Sequence, residues 1–295
     1  MAKLPDFSQY PHIQKYSNLY GESLSALAQG YELEAHYHEV LMKEKSASKR
    51  EAVYSEFYSK LMFIYGREKA DTETYVTKIK YVNLFEKELS NKSVIDFGCG
   101  QGHMLQAIKK ELGNDELMGV DVFIPKGLKY NTTIKFEEKS IINYRTKNKF
   151  QIAISDNVIE HLVKDDAATH MASVYDSLED NGKLILMMPN RLFGPSDVTR
   201  IIDFSQSGNT QALGGHVNES TYTEMIAELK RVGFTQFYTV IPIPKLKYSL
   251  FKNIRLTTGW ITRIEKSKFL LKVFRAIKIK GVCPIRFTLT LIAVK

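Results

Sequence analysis

Cysteine is nearly absent from this sequence. Its 295 residues hold two, Cys99 and Cys283. These are too few and too far apart for a disulfide framework or a Cys-rich zinc site, which points to a reducing compartment. Long apolar runs are missing as well: no window approaches the roughly 20 residues of a membrane-spanning helix. The opening Met-Ala-Lys-Leu-Pro-Asp has no apolar signal stretch. Together these absences lead us to expect a cytoplasmic chain. Low-complexity tracts and internal repeats are also lacking, and with 44% apolar and 25% charged residues the composition excludes disordered and fibrous classes. What is in excess is positive charge, a net +8, and it is unevenly placed. Between Lys245 and Arg286 twelve Lys and Arg stand against one acid, Glu265. The rest of the chain is therefore slightly acidic. An enzyme of nucleic acid would carry its basic stripe beside the site, whereas this charge lies late in the chain, so nucleic acid is not the expected partner.

From Gly21 to about Leu89 the pattern is helical and rich in Tyr. Ser48 and Glu51 are spaced as a capping box ahead of Val53, Phe57, Leu61 and Ile64. Gly66 to Thr74 interrupts the period, and a further helix is predicted from Thr74 to Glu88. After Asn91 short apolar runs alternate with helical windows: Val94 to Phe97, Met104 to Leu112, Leu117 to Val122, Phe150 to Ser155, Ala167 to Leu178, Lys183 to Met188, Tyr222 to Val232 and Phe234 to Ile243. Such alternation calls for a parallel sheet with helices on both faces. Phe287, Leu289, Leu291 and Ala293 take every second position between Arg286 and Val294, a last strand predicted to run antiparallel to its neighbour. The domain reading is a helical cap over residues 1–89 and an α/β Rossmann-like, doubly wound domain over 90–295, with a basic insertion at 245–285.

The run Val94-Ile-Asp-Phe-Gly-Cys-Gly-Gln-Gly-His103 reads as a buried strand, a glycine turn and a helix start. In doubly wound sheets ligands bind at the carboxyl ends of such strands. A dinucleotide fingerprint would need a small residue at 103, where His103 stands; the third glycine is instead Gly102. Asp96 would repel a pyrophosphate but suits a ligand presenting an ammonium group, as the methionine part of S-adenosylmethionine (SAM) does. Asp121 ends the second strand at the distance expected for gripping ribose hydroxyls. Over roughly Ser90 to Val240, and again at the last strand, the sequence resembles the class I SAM-dependent methyltransferase superfamily. The resemblance implies a cofactor site formed by Asp96, Gly98, Cys99, Gly100, Gln101, Gly102, Asp121, Val122, Ser140, Ile141, Asp156 and Asn157. The acid that commonly follows the family's third strand, near the adenine amino group, is replaced here by Ser140. Residues 150–162 and 178–190 look like the family's fourth and fifth motifs.

A sulfonium methyl is already activated, so the protein must align an acceptor, exclude water and remove a proton if the acceptor is a hydroxyl. Glu160 and His161 follow the fourth strand, and His161 is the candidate base; the alternative is that it orders the loop. Residues 189–200 and 214–221 resemble bacterial methyltransferases of surface polysaccharides or small molecules. Asp197, Arg200, His216 and Glu219 would there form a polar loop for a polyhydroxylated acceptor, the alternative being that Asn218 or Ser220 caps the next helix and His216 packs beside it. Some relatives hold a divalent metal between a Glu-His pair and a later His. Glu160, His161 and His216 could imitate this, but without fixed spacing no ligand set is assigned. The expected activity is methyl transfer to an oxygen of a sugar-bearing or lipid-linked acceptor. The rivals are a small metabolite, a nucleic acid and a non-enzymatic SAM-fold module. The base-methylating Asp/Asn-Pro-Pro-Tyr type of motif is absent after strand four, where Ser155-Asp-Asn-Val stands, and Asp96 and Asp121 are intact. Leu270, Val273, Phe274 and Ile277 recur at helical spacing among Lys266, Lys272, Arg275, Lys278 and Lys280, with Trp260 nearby. This basic amphipathic pattern predicts contact with an anionic membrane surface; the alternative is that the stripe packs on the protein itself.

Overall fold

The computed structural model describes residues 7–69, 74–128, 133–243, 246–277, 285 and 287–295. Lys245, Lys278, Lys280, Cys283 and Arg286 lie outside them, as does the opening hexapeptide. Five parallel strands form the centre of one sheet: β1 (Val94–Phe97), β2 (Leu117–Asp121), β3 (Lys135–Glu138), β4 (Phe150–Asp156) and β5 (Leu178–Met188). Three antiparallel strands extend it: β8 (Leu289–Val294) between β5 and β6 (Gln236–Thr239), and β7 (Leu256–Thr257) at the edge. The order is β3-β2-β1-β4-β5-β8-β6-β7. Chain direction away from β1 reverses at β4, so the switch point lies between the carboxyl ends of β1 and β4. Both are near-continuous apolar runs because helices cover both faces. On one face pack α4 (Val76–Leu84), α5 (Glu86–Leu89) and α6 (His103–Leu112). On the other lie α3 (Ala47–Ile64), α7 (Lys164–Ser177), α8 (Tyr222–Val232), α9 (Gly259–Lys266) and α10 (Lys268–Ala276). α1 (Ile13–Tyr20) and α2 (Leu24–Lys43) form a smaller core with Val198 and Ile201.

The α/β reading with a final antiparallel strand is borne out, with shifted boundaries. The strand expected over Phe234 to Ile243 is confined to β6, and Pro242 within that run has no N–H to donate to a ladder. The last strand begins at Leu289, after Phe287 turns into the left-handed region at φ 44°. The capping box expected at Ser48 and Glu51 does not form: the cap of α3 is Ser46, and its side chain caps nothing. A capping box stands instead at Thr221 and Glu224, opening α8. Trp260 packs against the main core rather than facing outward. Among the described residues no helix is long and apolar enough to cross a membrane.

A buried ion pair ties α3 to the sheet layer. Arg50 Nε and Nη2 donate to the two carboxylate oxygens of Asp166 on α7, at 2.7 and 2.5 Å, with both side chains 5% exposed or less. Tyr54 Oη donates to the same carboxylate at 3.1 Å and accepts from the Val163 amide at 3.0 Å. Removing one partner of such a pair leaves a buried, uncompensated charge. We therefore expect Arg50→Met to destabilise the protein by about 3–5 kcal/mol in urea unfolding, and Arg50→Met with Asp166→Leu to recover most of that loss.

Candidate functional site

At the carboxyl ends of the strands lies a cleft of about 190 Å³. Its floor is the turn between β1 and α6. Gly98 and Gly102 have φ of 71° and 69°, and a Cβ at either would come within 2.4 Å of Val158 or 2.7 Å of Phe136. Only glycine fits both the backbone and the space. Asp121, at the end of β2, accepts from the Gly100 amide at 2.8 Å and from the Phe123 amide at 3.2 Å. Burial raises its acid to about 6, against the pull of these backbone donors. Of the residues singled out from the sequence, Gly98, Gly100, Gln101, Asp121, Val122, Ser140, Ile141, Asn157 and His161 line the cleft. Asp96, Cys99, Gly102, Asp156, Glu160 and His216 do not. Asp96 is buried behind the turn, its acid raised well above the ordinary range by burial and by Asp156, while Lys78 acts oppositely. Lys78, on α4, donates to Asp156 at 2.5 Å. Gln101 reaches outward, its amide donating to the Arg67 and Lys69 carbonyl oxygens at 2.7 and 3.2 Å.

Residues 70–237 match the methyltransferase domain family. The chain belongs to that family. It is a class I SAM-dependent methyltransferase, and SAM is its cofactor. The fold is similar to that of the Burkholderia thailandensis 1,6-didemethyltoxoflavin-N1-methyltransferase, solved with 1,6-didemethyltoxoflavin and S-adenosylhomocysteine. The two share 16% identity over 68% of this chain and 86% of that one, with a TM-score of 0.50. A SAM-dependent methyltransferase from Archaeoglobus fulgidus matches at 17% identity over 75% and 94% of the two chains, with a TM-score of 0.47. No curated protein matches the sequence.

The far wall of the methyltransferase cleft comes from α3, through Glu51, Tyr54, Tyr58 and Met62, none of which was singled out from the sequence as a site residue. The signal was present: these four recur at helical spacing, on a stripe distinct from the Val53, Phe57, Leu61 and Ile64 series. Beyond the cleft, the turn after β4 carries Glu160 and His161. The Glu160 carbonyl oxygen accepts from the Val217 and Asn218 amides at 2.8 and 2.9 Å, which brings His216 within ring-contact distance of His161, centroids 4.7 Å apart. His161 Nδ1 lies 3.0 Å from the Gly215 carbonyl oxygen. That contact requires the proton on Nδ1 and leaves the lone pair on Nε2. Burial, then His216, lowers the His161 pKa to about 3, so this imidazole is neutral. Burial opposes a charge on His216, but a 2.7 Å hydrogen bond to Glu219 and the carboxylates of Asp197 and Glu160 outweigh it and raise its pKa to about 9.

Asp197, Arg200 and Glu219 are turned inward. Asp197 accepts from the Thr199 and Gly214 amides at 3.0 and 2.8 Å, Glu219 accepts from the Ser196 amide at 2.9 Å, and Arg200 donates to Tyr20 at 2.6 Å. They shape the 190–221 segment instead of presenting it to solvent. The cap of the following helix is Thr221, rather than Asn218 or Ser220. Glu34 of α2 joins the same polar cluster by accepting from the Gly215 amide at 2.7 Å, and burial with Asp197 raises its acid to about 8.

Glu160 is fully buried, and among the described residues neither carboxylate oxygen has a hydrogen-bond partner. Its ligand atoms and those of His161 and His216 lie within 4.8 Å of one another, the one group among the described residues with the geometry to hold a metal ion. Burial raises the Glu160 acid from 4.5 to about 7. Between those pH values the folded chain holds a proton that the unfolded chain has released, so stability falls as pH rises through that window. Glu160→Gln should unfold like the wild type near pH 4.5 and be more stable than it at pH 8.5, by up to about 3 kcal/mol, read as the difference between their denaturant midpoints at the two pH values.

Proposed function

We propose that the protein transfers the SAM methyl group to an oxygen of a sugar-bearing or lipid-linked acceptor. The observation that carries this reading is the buried polar cluster of Glu34, Glu160, Asp197, His216 and Glu219 packed behind His161, which itself lines the cleft. Polar and ionisable groups concentrated directly behind His161 suit an acceptor rich in hydroxyls. In this reading Asp121 takes the ribose hydroxyls, and the field of Asp96 and Asp156 favours the methionine ammonium, with Lys78 balancing the carboxylate charge. Bound there, SAM supplies a methyl group already activated by its sulfonium. His161, neutral and with Nε2 free, takes the proton from the acceptor hydroxyl. His216, charged and held by Glu219, fixes the His161 ring from the side. As an alternative to proton removal by His161, the Glu160 carboxylate, His161 Nε2 and a His216 that has lost its proton would hold a divalent cation, which would polarise the acceptor oxygen.

The acceptor reading is tested by incubating the enzyme and methyl-labelled SAM with a cell lipid extract, free oligosaccharides or total RNA. Label in the glycolipid or saccharide fraction is the expected result, and label in RNA overturns it. Asp121→Ala should weaken S-adenosylhomocysteine binding by about 1–3 kcal/mol in calorimetry. His161→Ala should leave that binding near wild type while lowering turnover by roughly 10² to 10⁴.

The lipid side of the proposal rests on α10. This helix buries Leu271 but exposes Phe269 (73%), Leu270 (37%), Val273 (43%) and, just past its end, Ile277 (41%). Phe269, Val273 and Ile277 are four residues apart and share one face. Lys266, Lys268 and Lys272 are exposed around it. An apolar stripe among lysines fits the headgroup region of an anionic bilayer, each lysine adding roughly 1 kcal/mol. The protein should therefore co-sediment with phosphatidylglycerol vesicles at low salt, be released by high salt, and lose binding on Phe269→Asp. Equal recovery in the supernatant with anionic and neutral vesicles would discard the membrane role.

A further inference from the structure

The position after the third strand, where the family commonly places an acid beside the adenine amino group, holds Ser140. An adenine amine entering an apolar pocket without an acceptor would lose its hydrogen bonds to water uncompensated. The structure brings a carboxylate to this point from elsewhere in the chain. Glu51, on α3 and 89 residues away in sequence, accepts a hydrogen bond from Ser140 Oγ through Oε1 at 2.9 Å. Both residues line the cofactor cleft. Two carboxylates line that cleft, Asp121 and Glu51. Asp121 is fixed at the glycine turn, while Glu51 is bonded to Ser140, and the apolar Val122, Phe123, Ile141 and Ile142 line the same cleft.

Glu51 is also free for the task and firmly held. Its carboxylate is not spent on the helix cap that its spacing suggests, and among the described residues Oε2 takes no hydrogen bond. The residues on either side of it on the helix, Arg50 and Tyr54, are locked to Asp166 and Val163, which fixes the azimuth of α3 toward the cleft. Ser140 Oγ meanwhile accepts from the Ile142 amide at 3.3 Å, so the hydroxyl orients Glu51 as well as filling the gap left by the missing acid.

We propose that Glu51, carried on the N-terminal helix rather than on the sheet, is the carboxylate that recognises the exocyclic amine of the cofactor's adenine. Two N–H donors on that amine face an acceptor-only group, whereas a 6-oxo purine would turn its own acceptor toward the carboxylate and be rejected.

Calorimetry with S-adenosylhomocysteine and S-inosylhomocysteine, which differ at this amine, tests the assignment without any methyl acceptor. The wild type should prefer the adenosyl compound by roughly tenfold or more, the usual size for a hydrogen bond to a charged group. Glu51→Gln, whose amide can also donate to a 6-oxo group, should shrink that preference to about threefold or less. Adding Ser140→Asp in the Glu51→Gln background should restore it. An unchanged preference in Glu51→Gln, or an equal loss of affinity for both compounds, would overturn the proposal, the first outcome placing Glu51 on the acceptor side and the second giving it a purely structural role.

Discussion

A carboxylate and a guanidinium withdrawn from water must find each other, and the contact of Arg50 with Asp166 meets that requirement at the boundary between the N-terminal helices and the sheet. The far wall of the cofactor cleft depends on it. Without it α3 would keep its apolar contacts and single hydrogen bonds such as those of Glu51 and Tyr54, which constrain rotation less than a bidentate ion pair. With it the helix has one azimuth, and Glu51, Tyr54, Tyr58 and Met62 face the glycine turn. The cleft is thus completed by a segment that belongs to none of the βα units.

Charge is concentrated on the other side of the cleft in a different manner. Glu34, Glu160, Asp197 and Glu219 surround His216, and burial raises the acids of Glu34 and Glu160 to about 8 and about 7. The segment 214–218 is pinned through the Glu160 carbonyl and the Glu34 carboxylate. The same groups therefore set both the protonation of the cluster and the shape of that segment. A neutral His161 next to a cationic His216 follows from this arrangement, since two imidazolium rings in contact would repel.

What could be read from the sequence was local. The strand, turn and helix around Asp96 to Gly102 and the acid at Asp121 announce themselves within short windows, because glycine conformations and strand ends are properties of a few consecutive residues. The role of α3 could not be read in this way. Its two stripes, one for the core and one for the cleft, overlap in a single helical period, and Glu51 looked like a capping residue because its partner Ser140 is distant in the chain. The inward turn of Asp197 and Arg200 was not legible for a related reason: charged side chains are mostly exposed on average, and only tertiary packing shows which are taken inside. The stripe of Leu270, Val273, Phe274 and Ile277 divides between two settings, since Phe274 packs on Phe287 while the other three are exposed.

The position of β8 has a bearing on how the molecule is made. This strand, residues 289–294, lies between β5 and β6, so the outer part of the sheet is joined to the centre only through it. During synthesis the five parallel strands can assemble as they emerge, but β6 and β7 then form a two-stranded fragment too small to be stable alone. Until residues 289–294 leave the ribosome, the nascent chain carries an open edge along β5, an apolar template for mispairing with another chain. Pairing of β8 closes that edge and joins the two halves of the sheet in one step.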